Sequence, residues 1–395
     1  MGYGTYSSLV EPFMPFTHRN SLPLSASSDR LYAEFFQEEA GYNSWKMAFL
    51  DRTIEKSPYN QDLPLYCDRL KQLPSLAYAG CKNYLPLNER AKINERRLDF
   101  LHPDIKNACI CIGGSGGGSF KAQWLGRNAL EKVEFWSATK FLQVINTLAQ
   151  VTGELDGAQI GDSEIVYPLV GAIDDLVSYA ENYASSNAIA AAFKCFQTYA
   201  DLETWVKELS GQQDLNFQGL YGEEPFTTRP QITRNEEVLL SAVDEIKARA
   251  TQPGENLIPA YVLTRILSMV GWHYHLSPSA RIPGLDEDKL ALLVHGLGRD
   301  CARYVDVAIA KLGIEIENPV ILSKMGFGRS SSRDRTELTY SCFVQFSYGG
   351  QLKSLTMTLR GANAMGDGDR EAVELDARMA TEVTEIIRRL VLDKL

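Results

Sequence analysis

Apolar positions along this 395-residue chain alternate in some stretches and recur at helical spacing in others. Residues 108–112 and 119–124 read as two strands, and the glycine-rich segment Gly113 to Ser119 between them predicts a hairpin turn. A helical block follows. Its first run, residues 141–149, is apolar around most of its circumference, which predicts a buried helix. Helical spacing continues over 173–184, 188–200, 239–250, 260–270 and 289–312. Strand-like runs return at 318–323, 337–346 and 352–360, the last two joined by Tyr348-Gly349-Gly350-Gln351, a two-glycine hairpin signal. A helix over 369–394 closes the chain, with Val373, Leu375, Ala380, Val383, Ile387 and Leu390 on its apolar side. Upstream, 1–28 reads as irregular chain. Residues 31–55 and 63–76 have helical spacing broken by Pro and Asn, and 91–101 leads into the first strand.

Candidate chemistry begins at Glu134-Phe135-Trp136-Ser137-Ala138-Thr139-Lys140. Residues three apart on a helix share a face, so the Ser137 hydroxyl and the Lys140 amine can meet. A lysine in so apolar a run is costly unless it is paired or loses its charge. A neutral lysine beside a hydroxyl is a base beside a nucleophile. The plainer reading is an N-cap serine followed by a snorkelling lysine. Ser185-Ser186-Asn187 lies between two predicted helices and reads either as a cap or as a proton relay with a substrate-holding amide. Lys324-Met325-Gly326 ends a strand-like run.

S-x-x-K, S-x-N and K-x-G in that order resemble the signature of the serine β-lactamases and penicillin-binding proteins. The resemblance covers roughly residues 96–395. It implies an α+β sandwich: one antiparallel sheet built from both chain ends, flanked by helices, with a helical subdomain inserted at about 141–316. Residues 1–95 then form a helical extension packed on that catalytic domain, shaping the substrate mouth or mediating dimerisation. By the same resemblance Ser137 is the acylated nucleophile and Lys140 its base. Ser185 relays a proton to the leaving group, Asn187 contacts the substrate amide, and Lys324 sets the electrostatics. The backbone N–H groups of Ser137 and Phe327 form the oxyanion hole, and Met325 and Gly326 lie on the substrate-binding strand.

Two departures matter. Met325 stands where the family has a hydroxyl that helps bind a carboxylate, and a thioether donates no hydrogen bond. The E-x-x-L-N stretch with the deacylating Glu of class A β-lactamases does not occur, and Glu223 and Glu224 read as solvated loop carboxylates. The expectation is a serine hydrolase or acyltransferase acting on an amide, ester or lactam. The alternatives are an inactive β-lactamase-like scaffold and a D,D-peptidase or β-lactamase.

Forty Lys and Arg against fifty Asp and Glu give a net charge of −10. That balance argues against nucleic acid or an anionic membrane as partner and leaves a small-molecule or short-peptide acyl substrate. Seven cysteines, an odd number, favour free thiols in a reducing compartment. The N-terminus lacks a basic and an apolar leader region, and no stretch is long and apolar enough to span a bilayer, so the expected location is cytoplasmic. No cofactor or metal is expected. The glycine-rich turn lacks the G-K-[ST] ending of a phosphate loop. His273 and His275 have no evident third ligand, and Cys109 and Cys111 read as core.

Overall fold

The computed structural model describes residues 27–40, 47–75, 80–243, 255–330 and 333–395. The reading of residues 1–28 as irregular chain falls almost wholly outside them. The chain starts with α1 (Ser28–Glu39), the short α2 (Tyr66–Leu70) and β1 (Lys82–Asn83). The hairpin β2 (Ile105–Gly116) and β3 (Ser119–Arg127) follows, then β4 (Val133–Glu134), a 3-10 turn at Trp136–Thr139 and α3 (Phe141–Gln150). Next come β5 (Gln159–Gly161), β6 (Val166–Pro168), α4 (Leu169–Ser178), α5 (Ser186–Lys194) and α6 (Tyr199–Ser210). Short strands β7 (Asn216–Phe217), β8 (Gln231–Arg234), β9 (Glu237–Ser241) and β10 (Asn256–Ile258) lead to α7 (Ala260–Gly271), α8 (Glu287–Leu297) and α9 (Tyr304–Leu312). The long strands β11 (Glu317–Ser330), β12 (Arg335–Tyr348) and β13 (Gln351–Asn363) precede α10 (Gly368–Val391).

Six of these strands form one antiparallel sheet in the order β1-β3-β2-β13-β12-β11. The first hairpin therefore pairs with the last strand, so both chain ends build the sheet, as the resemblance implies. Both hairpins turn through glycine pairs in the left-handed region: Gly117 and Gly118 at φ 65° and 81°, Gly349 and Gly350 at 58° and 76°. Successive strand residues face opposite ways. Cys109 and Cys111 enter the core shared with α3, α4 and α7, whereas Ala108, Ile110 and Ile112 face α1, α9 and α10. Two helical layers thus cover the sheet, and α1 packs directly on α10. Among the described residues no helix is long and apolar enough to cross a membrane.

Several element boundaries differ from the periodicity. The helix predicted over 239–250 is a strand as far as Ser241, because Asn235 and Glu236 both take positive φ and turn β8 into β9; residues 244–250 lie outside the described residues. The helix predicted over 289–312 breaks after Leu297, where Gly298 sits against Leu63 and Tyr66. The helix predicted over 173–184 stops at Ser178, because Tyr179 caps it in the left-handed conformation, φ 61°. That early stop shapes the site.

Candidate active site

The turn that carries Ser137 is held from below. Trp136 takes φ 50°, a conformation that costs a non-glycine residue energy and persists only when its surroundings enforce it. Its indole N–H donates to Glu337 Oε2 at 2.8 Å. Glu337 is fully buried, and its Oε1 also accepts from Arg335 at 2.5 Å, Arg360 at 2.7 Å and Arg333 at 3.2 Å. Gly328 on β11 lies flush against the indole.

Gly326 explains the K-x-G spacing in physical terms. A Cβ there would stand 2.5 Å from Thr339 Oγ1, 2.6 Å from the Phe135 carbonyl oxygen and 2.7 Å from the Ala138 nitrogen. Only a glycine lets β11 approach the Ser137 turn this closely. Gly326→Ala is therefore expected to push the turn off the strand, costing about 1–3 kcal/mol of stability. The midpoint of denaturant unfolding measures it; an unchanged midpoint would show that the turn moves freely.

Lys140 follows that turn at the start of α3 and is fully buried. Its amine donates to Ser186 Oγ at 2.9 Å and to Asn187 Oδ1 at 2.6 Å. Burial, aided by the nearby charge of Lys324, drives its pKa well below the usual lysine range. In its neutral form the amine, with two hydrogens so engaged, keeps its lone pair free. The Tyr221 ring lies 5.1 Å from the amine, and the Tyr221 hydroxyl is 2.7 Å from Thr139 Oγ1. Glu223 and Glu224 are exposed.

Ser185 is not part of this cluster. Its hydroxyl caps α5, accepting from the Ala188 N–H at 3.1 Å. This is the plainer of the two sequence readings. The adjacent Ser186 reaches Lys140 instead and passes its own hydrogen to the Leu176 carbonyl at 2.7 Å.

The group between Ser137 and Lys324 is Tyr179, which the sequence reading missed. Lys324 Nζ donates to the Tyr179 hydroxyl at 2.7 Å, and the hydroxyl lies 3.3 Å from the Met325 carbonyl. Burial raises the phenol pKa well above its usual value, and the Ser137 side chain, which interacts with the phenol, partly opposes the rise. Burial lowers Lys324 to about 8, against the pull of the buried Asp300 carboxylate. Asp300 in turn accepts from Ser323 Oγ at 2.8 Å.

Ser137, Tyr179, Asn187, Met325 and Phe327 open onto one cavity of about 850 Å³. Met47, Leu50, Asp51 and Thr53, from the segment before the sheet, line its far wall. That wall is fixed to α10: Asp376 Oδ2 accepts from the Phe49 and Leu50 N–H groups at 3.0 and 3.4 Å, and its Oδ1 accepts from the Tyr304 hydroxyl at 2.5 Å. Other clefts among the described residues, of about 470–700 Å³, are smaller and are not lined by Ser137. His275 is engaged with the Leu70 and Gln72 carbonyls, and Cys109 and Cys111 are buried core residues.

No family model and no curated protein matches the chain. Solved structures do. A class A β-lactamase from Bacteroides cellulosilyticus DSM 14838 is 11% identical, with 72% of this chain and 94% of that chain covered and a TM-score of 0.43. A halotolerant bacterial β-lactamase is 14% identical, covering 74% and 95%, with a TM-score of 0.43. PBP-A is 11% identical, covering 74% and 92%, with a TM-score of 0.44. The chain is thus similar to class A β-lactamases and PBP-A, and at these identities the likeness concerns the fold.

Proposed function

We propose that the chain is a serine hydrolase or acyltransferase working through an acyl-enzyme on Ser137. The observation that carries this reading is that Ser137 and Tyr179 open onto one cavity, with buried Lys324 on the Tyr179 hydroxyl and buried Lys140 held by Asn187. In the reaction, Ser137 Oγ bonds to the carbonyl carbon of an amide, ester or lactam while its proton passes to the neutral Lys140 amine. The backbone N–H groups of Ser137 and Phe327 receive the oxyanion. As the bond to the leaving group breaks, Tyr179 gives that group its proton and is reprotonated from the Lys324 ammonium. Tyr179 thus takes the relay role that the motif reading gave to Ser185. Water or an amine then attacks the acyl carbon and loses a proton through Tyr179 to the neutral Lys324, while Ser137 Oγ, leaving the acyl carbon, takes back the proton held on Lys140.

Intact-mass spectrometry after incubation with a fluorophosphonate tests the reading. One adduct, mapped by peptide digestion to Ser137, is expected. Absence of any adduct, or an adduct on another residue, would overturn it.

The two lysines also set the pH dependence. Lys140 must be neutral, and burial, with the nearby Lys324 charge, favours that form by lowering its pKa. Lys324 must be charged, and it loses its proton near 8. The acylation rate is expected to fall above about pH 8, and Lys324→Arg, which stays charged, should move that limb to higher pH. A rate still rising through pH 9 would refute this division of roles.

A further inference from the structure

The mouth of the cavity is poorly equipped to receive an anion. Met325, 6% exposed, offers a thioether where the resembling family offers a hydroxyl. Arg329, the guanidinium lining the mouth, is already bonded to Asp369 at 2.5 Å. Asp51 adds a second carboxylate to the rim, and it already accepts the Met47 N–H at 2.8 Å. Among the described residues lining the cavity, two carboxylates therefore face one guanidinium.

Beside Thr53, Ser178 and Cys301, much of the remaining wall is apolar. Met47 and Leu50 come from the segment tied to α10, Met325 and Phe327 from β11, and Ala372 from α10. Leu50 and Ala372 are almost completely buried. Two methionines in one wall make it adaptable to differently shaped apolar groups, because the thioether chain is unbranched and has many rotamers.

We propose that the acyl donor is an uncharged molecule with an apolar acyl group, and that this site selects against substrates carrying a carboxylate near the scissile bond. The proposal rests on Ser137 being the nucleophile and adds what the nucleophile is offered. A carboxylate entering here would meet Asp51 and Asp369, find Arg329 occupied and gain no hydrogen bond from Met325. Like charge brought together with incomplete desolvation is how a site rejects a ligand.

The test is a matched pair of fluorophosphonates, one with a neutral hexyl tail and one whose tail ends in a carboxylate. The rate constants for labelling Ser137 are measured for each. The neutral probe is expected to react roughly tenfold faster or more, in line with the cost of opposing like charges. Asp369→Asn, which frees Arg329, and Met325→Thr, which restores a hydroxyl, should each narrow that ratio by favouring the anionic probe. Equal rates, or a faster anionic probe, would overturn the selectivity while leaving Ser137 as nucleophile. A ratio untouched by both variants would overturn the assignment to these residues. Failure of both probes to label Ser137 would remove the nucleophile reading and the selectivity with it.

Discussion

Tyr179→Phe is expected to slow acylation of Ser137 by about 10²–10⁴-fold, the range typical of losing a positioned proton-transfer group. The substitution removes one oxygen atom. The ring keeps its place at the left-handed end of α4 and over Lys324, whose amine lies 3.9 Å from the ring centre. The fold should therefore persist, visible as an unchanged unfolding midpoint. Lys324 Nζ loses its 2.7 Å acceptor but keeps the Met325 carbonyl at 3.1 Å. The loss should be larger for amides than for activated esters, because a good leaving group needs no proton. A Tyr179→Phe variant that acylates at the wild-type rate with both substrates would show that the proton travels another way.

Glu337→Ala is expected to destabilise the protein by about 3–5 kcal/mol, the cost of leaving buried charge uncompensated. Three guanidinium groups converge on this fully buried carboxylate. Arg360 is 2% exposed, and without Glu337 only the Asn107 amide oxygen at 2.8 Å remains to it. Trp136 loses its indole acceptor as well, so the turn before Ser137 loosens. Burial raises the Glu337 pKa, but Arg360, the indole and Arg333 outweigh it and the net shift is downward. A depressed carboxylate stabilises the fold above its unfolded pKa, about 4.3, and that contribution is lost as pH falls through the folded value. Urea unfolding of wild type should weaken below about pH 4, and the variant should lack that component. A loss under 1 kcal/mol would show that the arginines find water when the carboxylate is gone.

How far the residues announced this arrangement depends on the kind of signal. The sheet was legible because apolar strand runs and paired glycines are local: residues 108–112 are an unbroken apolar run, 355–359 alternate, and Gly349-Gly350 dictates the turn between β12 and β13. Ser137, Lys140, Asn187 and Lys324 were singled out by spacing; Ser137 and Asn187 line one cavity, Lys140 bonds Asn187 and Lys324 bonds the Tyr179 hydroxyl. Ser185 caps α5 while Ser186 reaches Lys140, and a motif of this length does not distinguish the serine that caps a helix from its neighbour. Tyr179 was hidden for a different reason. Nothing between Leu176 and Asn182 is Gly or Pro, so periodicity ran the helix onward and left Tyr179 in its middle. The turn there is set by contacts distant in sequence or along the loop: Lys324 on the hydroxyl, and Asp175 accepting from the Tyr183 N–H at 2.6 Å and the Asn182 amide at 3.0 Å. The cavity wall at 47–53 was equally unreadable, since it depends on the carboxylate of Asp376 near the other end of the chain.

The seating of the last strand between the first hairpin and β12 has a kinetic meaning during synthesis. Strand β2 ends at Gly116 and its partner β13 begins only at Gln351. At roughly 5–20 residues per second, the ribosome takes about 10–50 s to supply that partner. Through this interval the apolar β2, with Cys109, Ile110, Cys111 and Ile112, has an open edge and no finished sheet. Long-range pairing of this kind is slow in itself. The newborn chain thus depends on whatever shields a bare strand edge until its last 45 residues emerge, and chains interrupted before Gln351 are the ones destined to clump.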